Sequence, residues 1–143
     1  MPSAFIDTNI LVYAAQETQP LPPKSRIARE ILLQRDLCIS VQVLNEFIAN
    51  ARNPKKLNLS PAQEQDWVSN WLQFRILPLT KISFVSALEV HLRYGLSHWD
   101  SLIIASANSG ECVTLYSEDL SHGQMYGRTH VVNPFRDMEK PLP

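Results

Sequence analysis

Four carboxylates in this chain, Asp7, Glu46, Asp100 and Asp119, stand where an alternating fold can bring them to one place. Asp7 closes the short apolar run Ala4-Phe5-Ile6. Glu46 lies in a helix-patterned stretch, Asp100 in the first turn of another, and Asp119 two residues beyond Ser117 after the run Cys112–Tyr116. Gathered acids suit a hard cation. Mg²⁺ and Mn²⁺ take oxygen ligands, and Mg²⁺ keeps several waters while bridging to a substrate phosphate. Without a cation, close carboxylates raise one another's pKa and cannot all stay ionised. Loss of any one acid should therefore weaken such a site.

Each acid also has a plainer role open to it. Asp7 is a good N-cap for the helix that follows. Ser97-x-x-Asp100 has the form of a capping box. Asp119 suits an Asx-turn. At 100° per residue, Glu46 lies roughly 140° or more from the apolar arc of Val41, Leu44, Ile48 and Ala51, which by periodicity turns it to solvent. No single position decides between these roles and the metal site.

The elements that must position the acids can be read along the chain. Ala4-Phe5-Ile6, Leu37–Ser40, Arg75–Leu79, Cys112–Tyr116 and Thr129–Val132 are short apolar runs of strand type. Helical spacing runs from Asp7-Thr8-Asn9 through Ala15, from Ser25 to Leu33, and from Val41 to near Asn53-Pro54. Ser60 with Pro61 opens another helix to about Phe74. Phe84, Leu88 and Leu92 mark a helix before Gly95, and Ser97 opens one that ends near Gly110. Gln19-Pro20-Leu21-Pro22-Pro23 is a loop by its prolines. Strands alternating with helices predict an α/β fold, a three-layer α/β/α sandwich with a central, mostly parallel sheet of about five strands. Ligands in such sheets bind beyond the carboxyl ends of the strands, where Asp7 and Asp119 fall. The expected organisation is one domain over residues 1–137 and a flexible tail over 138–143.

Composition narrows the classes. The chain has 143 residues, 45% of them apolar and 19% charged, which is ordinary for a globular domain. A formal net charge of -1 argues against a protein that coats DNA non-specifically, but a bound cation can supply positive charge where phosphate docks. Cys38 and Cys112 lie in strand-type runs and are expected to be buried, reduced thiols. There is no clustered Cys/His pattern for zinc. Met-Pro-Ser lacks the basic and apolar regions of a secretory signal, and no run approaches a membrane span. The expectation is a cytoplasmic protein without a membrane partner.

Taken together, the segments resemble the PIN-domain family, and more closely the VapC-type toxins of bacterial toxin–antitoxin pairs. Phe5-Ile6-Asp7-Thr8-Asn9-Ile10 resembles the family's opening strand and helix. Val43-Leu44-Asn45-Glu46-Phe47 resembles its second acidic segment. Trp99-Asp100-Ser101-Leu102-Ile103-Ile104-Ala105 is similar to its third, and Tyr116-Ser117-Glu118-Asp119, followed by His122-Gly123, to its fourth. Val132-Asn133-Pro134-Phe135 resembles the closing strand and exit. The resemblance spans essentially the whole chain, with the segments in order. It implies that Asp7, Glu46, Asp100 and Asp119 form a catalytic, metal-binding quartet for Mg²⁺ or Mn²⁺, with Asn9 and Ser117 as supporting polar residues. It is the resemblance, against the periodicity, that assigns Glu46. It further implies a ribonuclease leaving 5′-phosphate and 3′-hydroxyl ends, Asp7 and Asp100 as direct ligands, Asp119 acting through water or a second ion, an RNA substrate, a small inhibitory antitoxin, and a homodimer.

Other residues near these segments have ordinary explanations. His98 and His122 are expected to be surface-loop histidines rather than general bases, because a metal already activates water. Trp99 is expected to pack, although it could stack a base. Arg52, Lys55 and Lys56 are expected to be a solvated basic loop. Two other classes remain open. One is a different metal-dependent phosphohydrolase, though Asp7-Thr8-Asn9 lacks the D-x-D of haloacid-dehalogenase-type enzymes. The other is a non-catalytic PIN-fold binding module, against which stands the presence of all four acids.

Overall fold

The computed structural model describes residues 3–139. Its strands are β1 (Ser3–Ile6), β2 (Leu37–Ser40), β3 (Arg75–Leu77), β4 (Cys112–Tyr116), β5 (Met125–Tyr126) and β6 (Thr129–Val132). Its helices are α1 (Thr8–Ala14), α2 (Pro23–Ile31), α3 (Val41–Arg52), α4 (Pro61–Trp71), α5 (Lys81–Tyr94) and α6 (His98–Ser109), and a 3₁₀ turn spans Arg136–Glu139. That turn includes the first residues of the expected tail, while residues 140–143 lie outside the described residues, as do Met1 and Pro2.

The strands form one sheet in the order β3-β2-β1-β4-β6-β5. Every pairing is parallel except β5 with β6. The sixth strand, β5, adds to the five expected. It is two residues long and turns into β6 through Gly127 at φ 61°, a conformation open to glycine without a Cβ penalty. The chain moves from β1 outward to β2 and β3, then crosses back to β4 on the other side of β1. Right-handed crossovers in opposite directions place their helices on opposite faces. Accordingly α1 packs on α2 and α3, and α3 on α4, while α5 packs on α6. Covered on both faces, the central strands bury a mostly apolar set: Phe5, Ile6, Cys38, Ile39 and Leu115 are all buried. Both cysteines are free and buried, as their sequence context predicted.

Caps set the helix limits. Ser40, Ser60, Thr80 and Ser97 accept from backbone N–H groups in the first turns of α3 to α6. Pro23, expected in a loop, is instead the first residue of α2, where its missing N–H removes no helical bond. On α5 and α3 the packed faces are not the ones that carry the most large apolar residues. The row Phe84, Leu88 and Leu92 does mark a helix, but it points outward, with Leu92 84% exposed, whereas Ala87 is the residue that packs on α6. On α3 the buried row is Val43, Phe47 and Ala51 with Gln42, rather than the arc of Val41, Leu44, Ile48 and Ala51. Glu46 lies only about 60° from Val43 on that wheel, so it flanks the packed face instead of opposing it.

Candidate active site

The site begins at the switch point of the sheet, where β1 and β4 lie side by side and their connections depart in opposite directions. The Asp7 N–H donates to Tyr116 O at 3.0 Å and the Ser117 N–H to Val132 O at 3.1 Å, so the ladder carries both strand ends to the same edge. Asp7 is N-cap and site residue at once. Its Oδ1 accepts from Thr8 N at 2.7 Å and its Oδ2 from Ser117 Oγ at 2.7 Å. Ser117 Oγ in turn accepts from Asp119 N at 3.2 Å. Asn9 ties the other side: its Nδ2 donates to Asp119 Oδ2 at 3.1 Å, and its Oδ1 accepts from Glu118 N at 3.3 Å. The two residues assigned as polar helpers, Asn9 and Ser117, therefore bind the turn after β1 to the turn after β4.

Glu46 is half-buried and turned inward. Its Oε1 accepts from Gln42 Nε2 at 3.2 Å and lies 3.4 Å from Thr8 Oγ1, a long contact for a hydroxyl donor. The periodicity reading that sent Glu46 to solvent fails because α3 buries the neighbouring row. Gln42 also donates to Trp99 O at 3.1 Å, which links α3 to the start of α6 and to Asp100. Ser97 caps α6 by accepting from Asp100 N at 3.1 Å.

The electrostatics show that all four acids share one field. Burial raises the Asp7 carboxyl to about 7, against the hydrogen bonds from Ser117 and Thr8, and the charges of Asp119 and Glu46 push it further up. Glu46 is raised by burial and by the charges of Asp100 and Asp119, opposed by Gln42 and Thr8. Asp100 is raised by burial and by Asp119, opposed by Ser97. The fold thus brings together carboxylates from four separate segments, and burial with neighbouring negative charge raises the carboxyls of Asp7, Glu46 and Asp100.

Whether this set suits a cation can be judged from its donors. They are oxygens only, the chemistry of Mg²⁺ and Mn²⁺. Among the described residues no three Asp, Glu, His or Cys side chains are grouped closely enough to hold one ion directly. An all-oxygen donor set suits a hard cation such as Mg²⁺, which keeps several of its waters. Gln42 Oε1, beside Glu46, is buried without a hydrogen-bond partner among the described residues, and such an orphaned oxygen calls for a water.

A cleft of ≈390 Å³ opens beside the acids, lined by Thr8, Asn9, Val12, Tyr13, Gln16, Glu46, Asn50, Lys56 and Asp119. A larger hollow of ≈650 Å³ lies at the other end of the strands, around Ser3, Asp36 and Arg75. It lacks the acid cluster and sits at the amino ends, so the smaller cleft is the better site.

Sequence reasoning missed several contributors. Gln42 had a signal, since it precedes Glu46 by one helical turn. Lys24 had none: its ammonium meets Glu118 Oε2 at 2.7 Å from far away in the chain, while Tyr13 Oη donates to Glu118 Oε1 at 2.7 Å. Trp99 does not pack as expected. It is 65% exposed, with only the edge of His98 against its ring among the aromatic contacts. His98 also meets Phe84, and His122 Nδ1 accepts from Asn133 N at 3.0 Å, structural roles consistent with the ordinary reading of both.

Comparison with known proteins agrees with this layout. Residues 4–127 match the PIN domain family. A toxin–antitoxin complex from Klebsiella pneumoniae superposes with a TM-score of 0.70 at 22% identity, covering 92% of this chain and 98% of that one. VapC20 of Mycobacterium tuberculosis, described as a sarcin-ricin loop cleaving toxin, gives 0.65 at 16% identity over 82% and 90%. The DNA-bound VapBC complex of Salmonella typhimurium gives 0.63 at 20% identity over 92% and 97%. At these identities the likeness is one of fold. No curated protein matches the chain.

Proposed function

The chain belongs to the PIN domain family, and from that premise we propose that it is a metal-dependent endoribonuclease, the toxin of a type II toxin–antitoxin pair. The observation that carries this reading is the gathering of acids at the switch point of the sheet, where Ser117 and Asn9 tie Asp7 to Asp119 and the charge of Asp119 bears on Asp7, Glu46 and Asp100. A divalent cation bound there, Mg²⁺ or Mn²⁺, supplies Lewis acidity toward a phosphodiester oxygen and lowers the pKa of water.

The chain's own residues do the rest. Thr8 N–H and Ser117 Oγ hold both oxygens of Asp7 in one orientation, and Asp7 and Asp100 would be the residues that hold the ion directly. Asn9 fixes Asp119, which would help hold the ion through water. Thr8 and Gln42 hold one oxygen of Glu46, leaving the other to orient the attacking water. That water releases one proton to solvent as its oxygen bonds to phosphorus, the bond from phosphorus to the 3′ oxygen breaks, and the leaving 3′ oxygen takes up one proton from solvent. The products carry 5′-phosphate and 3′-hydroxyl ends.

Three further parts of the reading have separate supports. The similar chain from Klebsiella pneumoniae is part of a toxin–antitoxin complex, so a small protein encoded beside this one is the expected inhibitor; failure of any such product to co-purify or inhibit removes the toxin assignment and leaves the nuclease. The exposed apolar row Ile82, Val85, Leu88 and Leu92 on α5 is of the kind that association covers, and we read the protein as a homodimer; sedimentation as a monomer would refute this. Among the described residues no helix is long and apolar enough to cross a membrane, and we take the protein to act in the cytoplasm, which fractionation tests.

The activity is tested by incubating the protein with labelled single-stranded RNA, with Mg²⁺ or Mn²⁺ or with a chelator, beside a small phosphomonoester. RNA cleavage only with the metal, absent in Asp7→Asn, is expected. Turnover of the monoester alone would favour a different phosphohydrolase, and inert RNA under every condition a non-catalytic module.

A further inference from the structure

We propose that Lys56 is the substrate-positioning residue of the cleft, contacting a backbone phosphate of single-stranded RNA beside the acids. This rests on the ribonuclease reading above and names how that site holds its substrate. The cleft presents a difficulty that its lining makes plain. Glu46 and Asp119 both line it, and carboxylates repel the phosphates on either side of a scissile bond. A cation bound among the acids offsets this at the reacting phosphate, but not one nucleotide along. Lys56 is the one cationic residue among those lining the cleft.

Two other cations in this part of the fold are already committed. The Arg52 guanidinium is held by both oxygens of Glu64, at 2.8 and 3.1 Å, and Lys24 is held by Glu118 at 2.7 Å. The Lys56 ammonium, in contrast, has no ion pair or hydrogen bond among the described residues. Its backbone is nonetheless fixed. Lys56 N donates to Asn53 O at 2.9 Å, and the next residues fold back on α3 through Leu57 N to Asn50 O at 3.2 Å and Leu59 N to Ala51 O at 2.8 Å. An unpaired ammonium on an anchored turn, facing an acidic cleft, is poised for a phosphate rather than spent on the fold.

The shape of the cleft selects the strand type. A hollow of ≈390 Å³ with Val12 and Tyr13 in its wall accepts an unstacked nucleotide, which a single strand can offer and a duplex cannot without opening. Gln16 and Asn50, also in the lining, add neutral polar groups for sugar or base edges.

The test measures binding apart from cleavage. Anisotropy of a labelled single-stranded RNA is followed between about 50 and 200 mM salt for wild type, Lys56→Gln, Lys56→Arg and Lys55→Gln, all in the presence of Ca²⁺. Losing one phosphate contact reduces the slope of log affinity against log salt by about 0.7. Lys56→Gln should show that reduction and bind about fivefold more weakly at the lower salt, the scale of one exposed ion pair. Lys56→Arg should restore both, Lys55→Gln should match wild type, and KM for cleavage should rise in Lys56→Gln with kcat little changed. An unchanged slope in Lys56→Gln, or an equal loss in Lys55→Gln, overturns the proposal while leaving the nuclease intact. RNA bound by wild type but never cleaved with metal would instead overturn the nuclease reading and leave the binding result standing.

Discussion

Asp7→Asn removes a charge that the fold holds at 6% exposure, and its effect on the metal-free protein can be worked out with sign. Burial raises the Asp7 carboxyl from 3.8 to about 7. Between those values the folded protein keeps a proton that the unfolded chain has released. Stability therefore falls as pH rises through that window, and the loss is complete above about pH 7. At about 1.4 kcal/mol per pH unit the rise corresponds to ~4 kcal/mol at most. Asn has no charge to desolvate and still accepts from Thr8 N, but it gives up the charge-assisted character of the bonds from Thr8 and Ser117. Allowing for that leaves a gain of ~2 kcal/mol. For a chain of this size it is a rise in Tm of roughly 4–8 °C. Calorimetry in chelator at about pH 8 should show the variant melting higher than wild type, and the gap should close toward about pH 4, where both side chains are neutral. A variant no more stable at the higher pH, or a gain that persists unchanged at the lower, would refute the claim that Asp7 is held against its own ionisation.

Two further outcomes follow from individual contacts. Glu46→Gln should lower kcat for metal-dependent RNA cleavage by about 10²-fold, the scale of losing one oriented electrostatic partner, with Tm unchanged or raised because Glu46 too is pushed up by burial; a variant of wild-type rate would return Glu46 to a structural role. Ser117→Ala removes the 2.7 Å donor that favours the Asp7 carboxylate, so the Asp7 pKa rises further and Mn²⁺ affinity near neutral pH should fall about tenfold, recovering as pH increases; a deficit independent of pH would place the effect of Ser117 elsewhere.

How much of this was legible in the sequence depends on how locally each feature is encoded. Asp7, Asp100 and Asp119 stand at strand ends and a helix start, positions that local pattern and capping chemistry reveal. The alternation of strands and helices was sufficient for the layer architecture. Glu46 was not legible from periodicity, because α3 is covered along Val43, Phe47 and Ala51 while apolar residues beside that row also invite a fit; the family resemblance supplied it. On α5 small Ala87 packs on α6 while the large residues Phe84, Leu88 and Leu92 face out, a choice of face that periodicity alone does not make. β5 is too short to carry a period. The Lys24–Glu118 pair and the approach of Lys56 to the acids depend on tertiary placement alone, for which no local rule exists.

The central claim is that Asp7, Glu46, Asp100 and Asp119 form one cation pocket. Mn²⁺ titration followed by calorimetry and by the resonance of the free ion tests it most directly. Saturable binding at neutral pH is expected for wild type, with affinity sharply reduced in Asp7→Asn and Asp100→Asn, both still folded. Equal Mn²⁺ affinity in wild type and both variants would contradict it.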